Sequence, residues 1–313
     1  MRKQHSVPLV LVAATAADAL LGDPSRLHPV AGLGRTAGWL ERRLWRDRRG
    51  AGICHTALIV AAATAAVEVG ERRLRRHPAA LLALRVLVLW STLGARSLER
   101  AARQLAAAVE RGELAEARRL APTLVGRDPS QLDAHELCRA AVESLAENTS
   151  DALVAPLVYA ALFGPAGAAA YRAANTLDAM VGHRSERYRR FGWAAARLDD
   201  VLNWLPARLT ALLAIACAPL VGGSCAEAWR AAFHDGRRHP SPNAGRVEGA
   251  FAGALRLRVG GLNHYPHGLE RRPRLGSGRA PEVEDVERAV QLARLVDALA
   301  LACCGALAWA VRS

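Results

Sequence analysis

The chain has 313 residues, 51% hydrophobic and 23% charged, with a formal net charge of +13. That balance excludes collagen-like, disulfide-scaffold and wholly disordered classes. With only 5% aromatics and no basic stretch interleaved with them, nucleic acid is not an expected partner. Lys3 is the one lysine among 42 basic residues, so neither a P-loop lysine nor an internal Schiff-base lysine exists. Any bound phosphate falls to arginine or to a metal. The six cysteines (Cys54, Cys138, Cys217, Cys225, Cys303, Cys304) contain no C-x-x-C and read as small hydrophobes.

Taken in chain order, the apolar run 7–17 follows Arg2 and Lys3, but Asp18-Ala-Leu-Leu-Gly-Asp-Pro stands where a small-residue cleavage site would be, so the run reads as retained. Gly32-Leu-Gly-Arg-Thr-Ala fits a dinucleotide fingerprint without the strand and acid that would give it meaning. Uncharged runs cover 51–67, 152–171 and 209–226; the runs 79–94, broken by Arg85, and 298–311 are shorter. A membrane helix needs about 20 mostly apolar residues, so we expect an all-α, polytopic integral membrane bundle with roughly four or five membrane helices. Basic clusters flank 51–67 on both sides (Arg42, Arg43, Arg46, Arg48 and Arg49; then Arg72, Arg73, Arg75 and Arg76), so loop charge does not orient it. One N-terminal run therefore reads as re-entrant or interfacial. Residues 1–313 form one membrane domain in this reading, with polar segments at about 95–149 and 227–281.

The first polar segment reads as three short helices. The earliest carries a stripe of Leu98, Ala102, Leu105 and Val109, and the third opens near Ser130 with Asp133 three residues on. In the second, Leu255-Arg-Leu-Arg-Val alternates weakly like a strand, 268–281 reads as a linker, and a last helix opens at Glu282.

Carboxylates and amides gather at the ends of the apolar runs. Glu143, Glu147 and Asp151 stand at i, i+4 and i+8, one face of a continuous helix, with Asn148 beside them; Asn175 and Asp178 follow the second run; Asp199, Asp200 and Asn203 precede the third. Acids in such places are costly unless hydrated, paired or metal-bound, and Mg²⁺ suits carboxylates plus phosphate oxygens. Arg96, Arg127, Arg139, Arg172, Arg184, Arg197 and Arg208 are near enough in sequence to bind phosphate or to pair with these acids. His239-Pro-Ser-Pro-Asn-Ala-Gly is a stiff loop offering His239, Ser241 and Asn243 to a ligand.

An ordered set of motifs resembles the CobD/CbiB family of cobalamin biosynthesis, the adenosylcobinamide-phosphate synthases. It comprises the Asp18 motif with His28-Pro-Val, Ala95-Arg-Ser-Leu, Gly126-Arg-Asp, Arg139-Ala-Ala-Val-Glu-Ser-Leu-Ala-Glu-Asn-Thr and Ala155-Pro-Leu. Tyr171-Arg-Ala-Ala-Asn-Thr-Leu-Asp-Ala-Met-Val-Gly, Phe191-Gly-Trp-Ala-Ala-Ala-Arg-Leu-Asp-Asp, Asn203-Trp-Leu-Pro-Ala-Arg and the His239 loop complete it. The resemblance covers roughly residues 14–265; Ala152 and Arg246-Val247 depart from it. It implies a multi-pass enzyme of the bacterial inner membrane with its active site on the cytoplasmic side. The implied reaction is ATP-dependent amide formation between the propionate of adenosylcobyric acid and aminopropanol or its O-phosphate.

On that basis ATP with Mg²⁺ is the expected co-substrate pair, no tightly bound prosthetic group is expected, and partners are the lipid bilayer and later membrane enzymes of the pathway. The catalytic set is Glu143, Glu147, Asp151, Asp199 and Asp200, with Glu143 or Asp151 taking a proton from the attacking ammonium. The metal set is Glu147, Asp178, Asp199 and Asp200; the substrate and phosphate set is Arg96, Arg127, Arg197, Arg208, Asn148, Asn175, Asn203, His239, Ser241 and Asn243. Two other classes fit less of the pattern: a Mg-dependent membrane prenyltransferase, for which a second aspartate motif is missing, and a non-catalytic membrane sensor or regulator, which would not need three acidic clusters.

Overall fold

The computed structural model describes residues 6–23, 28–183, 185–265 and 268–311. Pro24 of the N-terminal motif and Arg184 lie outside them. In chain order the helices are α1 (Ser6–Leu21), α2 (Pro29–Leu44), α3 (Arg49–Leu74), α4 (Pro78–Trp90), α5 (Ala95–Glu110), α6 (Leu114–Leu120) and α7 (Ala134–Thr149). After these come α8 (Ala155–Val181), α9 (Trp193–Leu202), α10 (Trp204–Cys217), α11 (Cys225–Phe233), α12 (Ala244–Ala254), the strands β1 (Val259–Tyr265) and β2 (Gly268–Leu275), and α13 (Val283–Ala310).

Among the described residues, five helical stretches are long and apolar enough to cross a membrane: Arg49–Leu74, Pro78–Glu110, Ala134–Val181, Trp204–Val221 and Val283–Ala310. The expected polytopic helical protein is what the chain forms. With 16 residues and a rise of about 1.5 Å each, α1 is shorter than the roughly 30 Å of a bilayer's hydrocarbon core. The run broken by Arg85 belongs to α4, where Arg85 donates through Nε and Nη2 to Glu71 at 2.9 and 3.2 Å, so the charge inside that run is neutralised by α3. Ala134–Val181 is not one straight rod. A π-helical turn, Ser150–Val154, separates α7 from α8, and Gly164 (φ +75°, ψ −173°) breaks α8 ahead of Pro165. Proline bars its predecessor from helical geometry, and glycine takes the positive φ without a Cβ clash.

The chain divides into two compact units. The first is built from Met1–Gly94, Asp151–Asn203 and Leu301–Ser313. There α3 packs against α8, α2, α9 and α4, around a buried cluster of Ala37, Ile59, Ala173, Leu177, Val181, Phe191 and Ala195. The second comprises Ala95–Ser150 and Trp204–Ala300, with α12 at its centre against α10, α11 and α7. Gly249 and Gly253 make that centre possible. A Cβ on Gly249 would stand 2.4 Å from the Ala231 carbonyl oxygen, and one on Gly253 2.5 Å from the Ala228 Cα, so α11 and α12 meet backbone to backbone.

Three local expectations shift. The box that opens α7 is Asp133 with Glu136, three residues later than the Ser130 start: Asp133 accepts from the Glu136 N–H at 2.8 Å while Glu136 accepts from the Asp133 N–H at 3.2 Å. The segment read as a linker is β2, paired antiparallel with β1 in the register Asn263 to Glu270, so the all-α architecture carries one hairpin. Finally, Glu143, Glu147 and Asp151 do not lie on one uninterrupted helix, because the π-helical turn begins at Ser150.

Candidate active site

Two buried polar networks form, one in each unit. In the first unit Asn175 of α8 donates from Nδ2 to Asp151 Oδ2 at 3.1 Å and to Asp199 Oδ1 at 3.2 Å, so one amide bridges two carboxylates. Asn203 donates to Asp199 Oδ2 at 3.0 Å and accepts from the Tyr171 hydroxyl at 2.9 Å. The Tyr171 ring stacks on Tyr159 with centroids 5.3 Å apart. Asp151 sits in the π-helical turn, a deformation that often marks functional positions because it re-aims side chains. Burial pushes the Asp199 carboxyl above the usual carboxylate range, against the pull of the Asn203 and Asn175 amides. Three of the sequence clusters thus converge here through Asp151, Asn175, Asp199 and Asn203. Asp200 instead pairs with Arg197 at 3.0 Å on the half-exposed side of α9, and Asp178 lies one turn before Gly182, where an added Cβ would meet its Oδ1.

In the second unit Glu143 of α7 is an anchor. Its Oε2 accepts from Arg127 Nη1 at 2.9 Å; its Oε1 accepts from Arg139 Nη1 at 3.3 Å and from the Gly260 N–H at 2.8 Å. Asn263 Oδ1 accepts from the same two guanidiniums at 2.6 and 3.0 Å. Both oxygens of Glu143 are therefore engaged, and the pairs tie α7 to the loop before it and to the hairpin. Beside this anchor is a pocket of about 230 Å³ lined by Arg127, Glu147, Glu248, Tyr265 and Arg272 among others. Burial holds the Glu248 carboxyl well above its ordinary range, with the charges of Glu143 and Glu147 adding to the effect. His239 is its neighbour, Nε2 to Oε2 at 4.0 Å. The Ser241 N–H donates to His239 Nδ1 at 3.1 Å, which leaves the imidazole proton on Nε2; burial, then the Arg272 charge, lower its pKa to about 4.

The His239 loop does less as a ligand surface than its composition suggested. Ser241 Oγ accepts the N–H groups of Asn243 and Ala244, at 3.3 and 3.1 Å, to start α12. Asn243 Oδ1 accepts from Arg208 at 3.2 Å, and the Arg208 guanidinium stacks over Trp204. Asn148 donates to the Ser144 carbonyl at 3.0 Å, and Arg96 lies in the first turn of α5. Residues not singled out from the sequence are Tyr171, Glu248, Asn263, Tyr265 and Arg272; Arg139 was weighed only as one arginine among several. A lone acid in the glycine- and alanine-rich α12 was the available signal for Glu248, because such a helix is buried all round. The hairpin residues carried none once their segment was read as a linker.

Among the described residues, no group of three or more His, Cys, Asp or Glu is arranged to hold a metal. Glu147, Asp178, Asp199 and Asp200 are divided between the units. The Asp151–Asn175–Asp199 bridge does fit a cation carried in by a nucleotide, since an amide N–H of positive partial charge lies between two carboxylates there. Such an ion needs only one or two protein carboxylates.

Fold and site define a polytopic helical membrane protein with an acid–amide network and an arginine–carboxylate pocket. The family model described as CobD/Cbib protein matches residues 11–293, so the chain belongs to the CobD/CbiB family. It is 52% identical over 283 residues to the cobalamin biosynthesis protein CobD of Mycobacterium tuberculosis, covering 90% of this chain and 89% of that one. The proteins of the same name from Pelobacter propionicus and Halalkalibacterium halodurans are 45% and 38% identical, with 82% and 91% of this chain covered and 81% and 91% of theirs. No solved structure matches the chain.

Proposed function

We propose that this member of the CobD/CbiB family acts in cobalamin biosynthesis as an ATP-dependent ligase, joining the propionate of adenosylcobyric acid to aminopropanol or its O-phosphate. The observation that carries the reading is that the family's ordered motifs supply side chains to both buried networks: Asn175 with Asp199 and Asn203, and Arg127 with Arg139 and Glu143.

The chemistry asks for such groups. A carboxylate does not acylate an amine in neutral water, because oxide is a poor leaving group; transfer of a phosphoryl group to it gives an acyl phosphate that the amine can displace. Asp151 and Asp199 would hold the Mg²⁺ that arrives with the nucleotide and offsets its phosphate charge. Asn175 and Asn203 orient Asp199, so its oxygens are fixed before any ligand arrives. Glu143, engaged on both oxygens, is poorly placed to take the proton of the attacking ammonium. The membrane enzymes that consume the product are the expected partners, with the reaction on the cytoplasmic side.

The test is mass spectrometry on detergent-solubilised protein given Mg-ATP, adenosylcobyric acid and either donor. An ATP-dependent product at the mass of adenosylcobinamide or its phosphate is expected, and no product from well-folded protein with either donor would overturn the reading. Asp199→Asn should reduce turnover by about a hundredfold or more while leaving membrane insertion unchanged; wild-type turnover would remove Asp199 from the site.

A further inference from the structure

The rim of the first unit where α3 begins is cationic and aromatic at once. Residues 41–49 and 185–190 carry eight arginines against three acids, and all eight arginines are exposed. Two of the acids are already taken. Glu41 accepts from Arg187 Nη2 and from the Tyr188 hydroxyl, each at 2.9 Å, and Asp47 pairs with Arg190 at 3.4 Å. Among the described residues, Arg42, Arg43, Arg48, Arg49 and Arg189 form no ion pair. Three guanidiniums lie on indoles: Arg43 on Trp39 at 4.2 Å, Arg187 on Trp45 at 4.8 Å and Arg49 on Trp193 at 5.0 Å. Stacking fixes the plane of a guanidinium and leaves its in-plane N–H groups to bind oxygens. The Trp45 Nε1–H donates to the Arg187 carbonyl at 3.2 Å, so the two segments make one surface.

An apolar face begins directly beyond this rim. Helix α3 opens at Arg49, and Ile53 and Leu58 are exposed within the uncharged run 51–67. Four residues of helix rise about 6 Å, so the arginines stand at headgroup depth when that run lies in hydrocarbon, and indoles are the side chains that favour this depth. The opposite end of α3 is basic too, with Arg72, Arg73, Arg75 and Arg76, but it differs in kind. No Trp, Tyr or Phe occurs between Glu68 and Leu89, and Arg72 is paired with Glu68 at 3.2 Å. We propose that the rim formed by residues 39–49 and 185–193 is a binding surface for the phosphodiester headgroups of anionic phospholipids. A zwitterionic headgroup would bring an ammonium toward five guanidiniums that lack a counter-ion. An anionic one brings net negative charge, with oxygens that the free N–H groups can take. Position selects lipid over a soluble polyanion, because the cluster borders an exposed apolar helix face. The assignment is independent of the ligase reading.

The experiment is native mass spectrometry of the detergent-solubilised full chain titrated with phosphatidylglycerol or with phosphatidylcholine. It compares wild type with the triple variant Arg42→Gln, Arg48→Gln, Arg49→Gln and with a control triple, Arg72→Gln, Arg73→Gln, Arg76→Gln, at the other end of α3. Wild type should bind phosphatidylglycerol about tenfold or more tighter than phosphatidylcholine, since each arginine near an anionic surface contributes roughly fivefold. The first triple should lose most of that preference, and the control should keep it. Arg48 makes no side-chain capping bond to α3, so its replacement leaves the helix start intact. If the first triple does not fold, Arg42→Gln with Arg48→Gln carries the test. Absence of a preference in wild type overturns the assignment and leaves the cluster to an acidic protein surface. An undiminished preference in the folded rim variant, or an equal loss in the control, overturns it as well.

Discussion

His239 shows how a single buried group sets a pH response. Its imidazole is neutral in the fold, with a pKa of about 4 against an ordinary 6.5. A depressed histidine favours the folded state when neutral, so its contribution is complete above about pH 6.5 and is lost as the pH falls toward 4. The full span corresponds to at most about 3 kcal/mol. Replacing His239 by Gln, which keeps an acceptor for the Ser241 N–H, should flatten the fall in thermal midpoint between those two pH values; an unchanged acid slope would assign the sensitivity elsewhere. At this scale the sequence marked acids, amides and arginines near membrane helices, Asp151, Asn175, Asp199 and Asn203 among them, but set Asp199 with Glu147, Asp178 and Asp200, whereas the fold joins it to Asn175 and Asn203. What it could not tell was which acid is spent on structure. Glu143 and Glu147 are one turn apart and chemically similar, yet only the fold reveals that Arg127, Arg139 and the Gly260 N–H converge on the first.

Among the elements, α12 depends on absent side chains. Gly249→Ala would force a methyl against the Ala231 carbonyl, and the helix pair would have to separate. We expect a loss of about 1–3 kcal/mol, seen as a lower thermal midpoint, larger than for an alanine at the open Gly50; equal midpoints would contradict the close approach. The α3–α4 pair makes a second prediction. Arg85→Leu alone leaves the half-buried Glu71 uncompensated, so it should destabilise more than Arg85→Leu with Glu71→Leu. A double variant no better than the single would show the pair to be incidental. Helix positions were legible because long apolar runs have few alternatives. The hairpin was not: Gly268–Leu275 is dense in arginine and lacks the alternation that marks a half-buried strand, and its pairing to β1 is a long-range fact.

The whole molecule joins two demands on one chain. Apolar helices must satisfy lipid, while acids buried among them need partners, and the chain meets both by giving Glu143 and Asp199 donors within its two networks. The membrane character and the family were legible from run lengths and ordered motifs. The division into two units was not, since the first is assembled from three separated stretches of sequence. The central claim, that a substrate carboxylate is activated by phosphoryl transfer before the amine attacks, has one direct measurement. Adenosylcobyric acid carrying the heavy oxygen isotope in its propionate is turned over with ATP, and the label is followed by mass spectrometry. An acyl phosphate predicts one labelled oxygen in the released inorganic phosphate for each amide formed. Label in AMP, or in neither nucleotide nor phosphate, would contradict it.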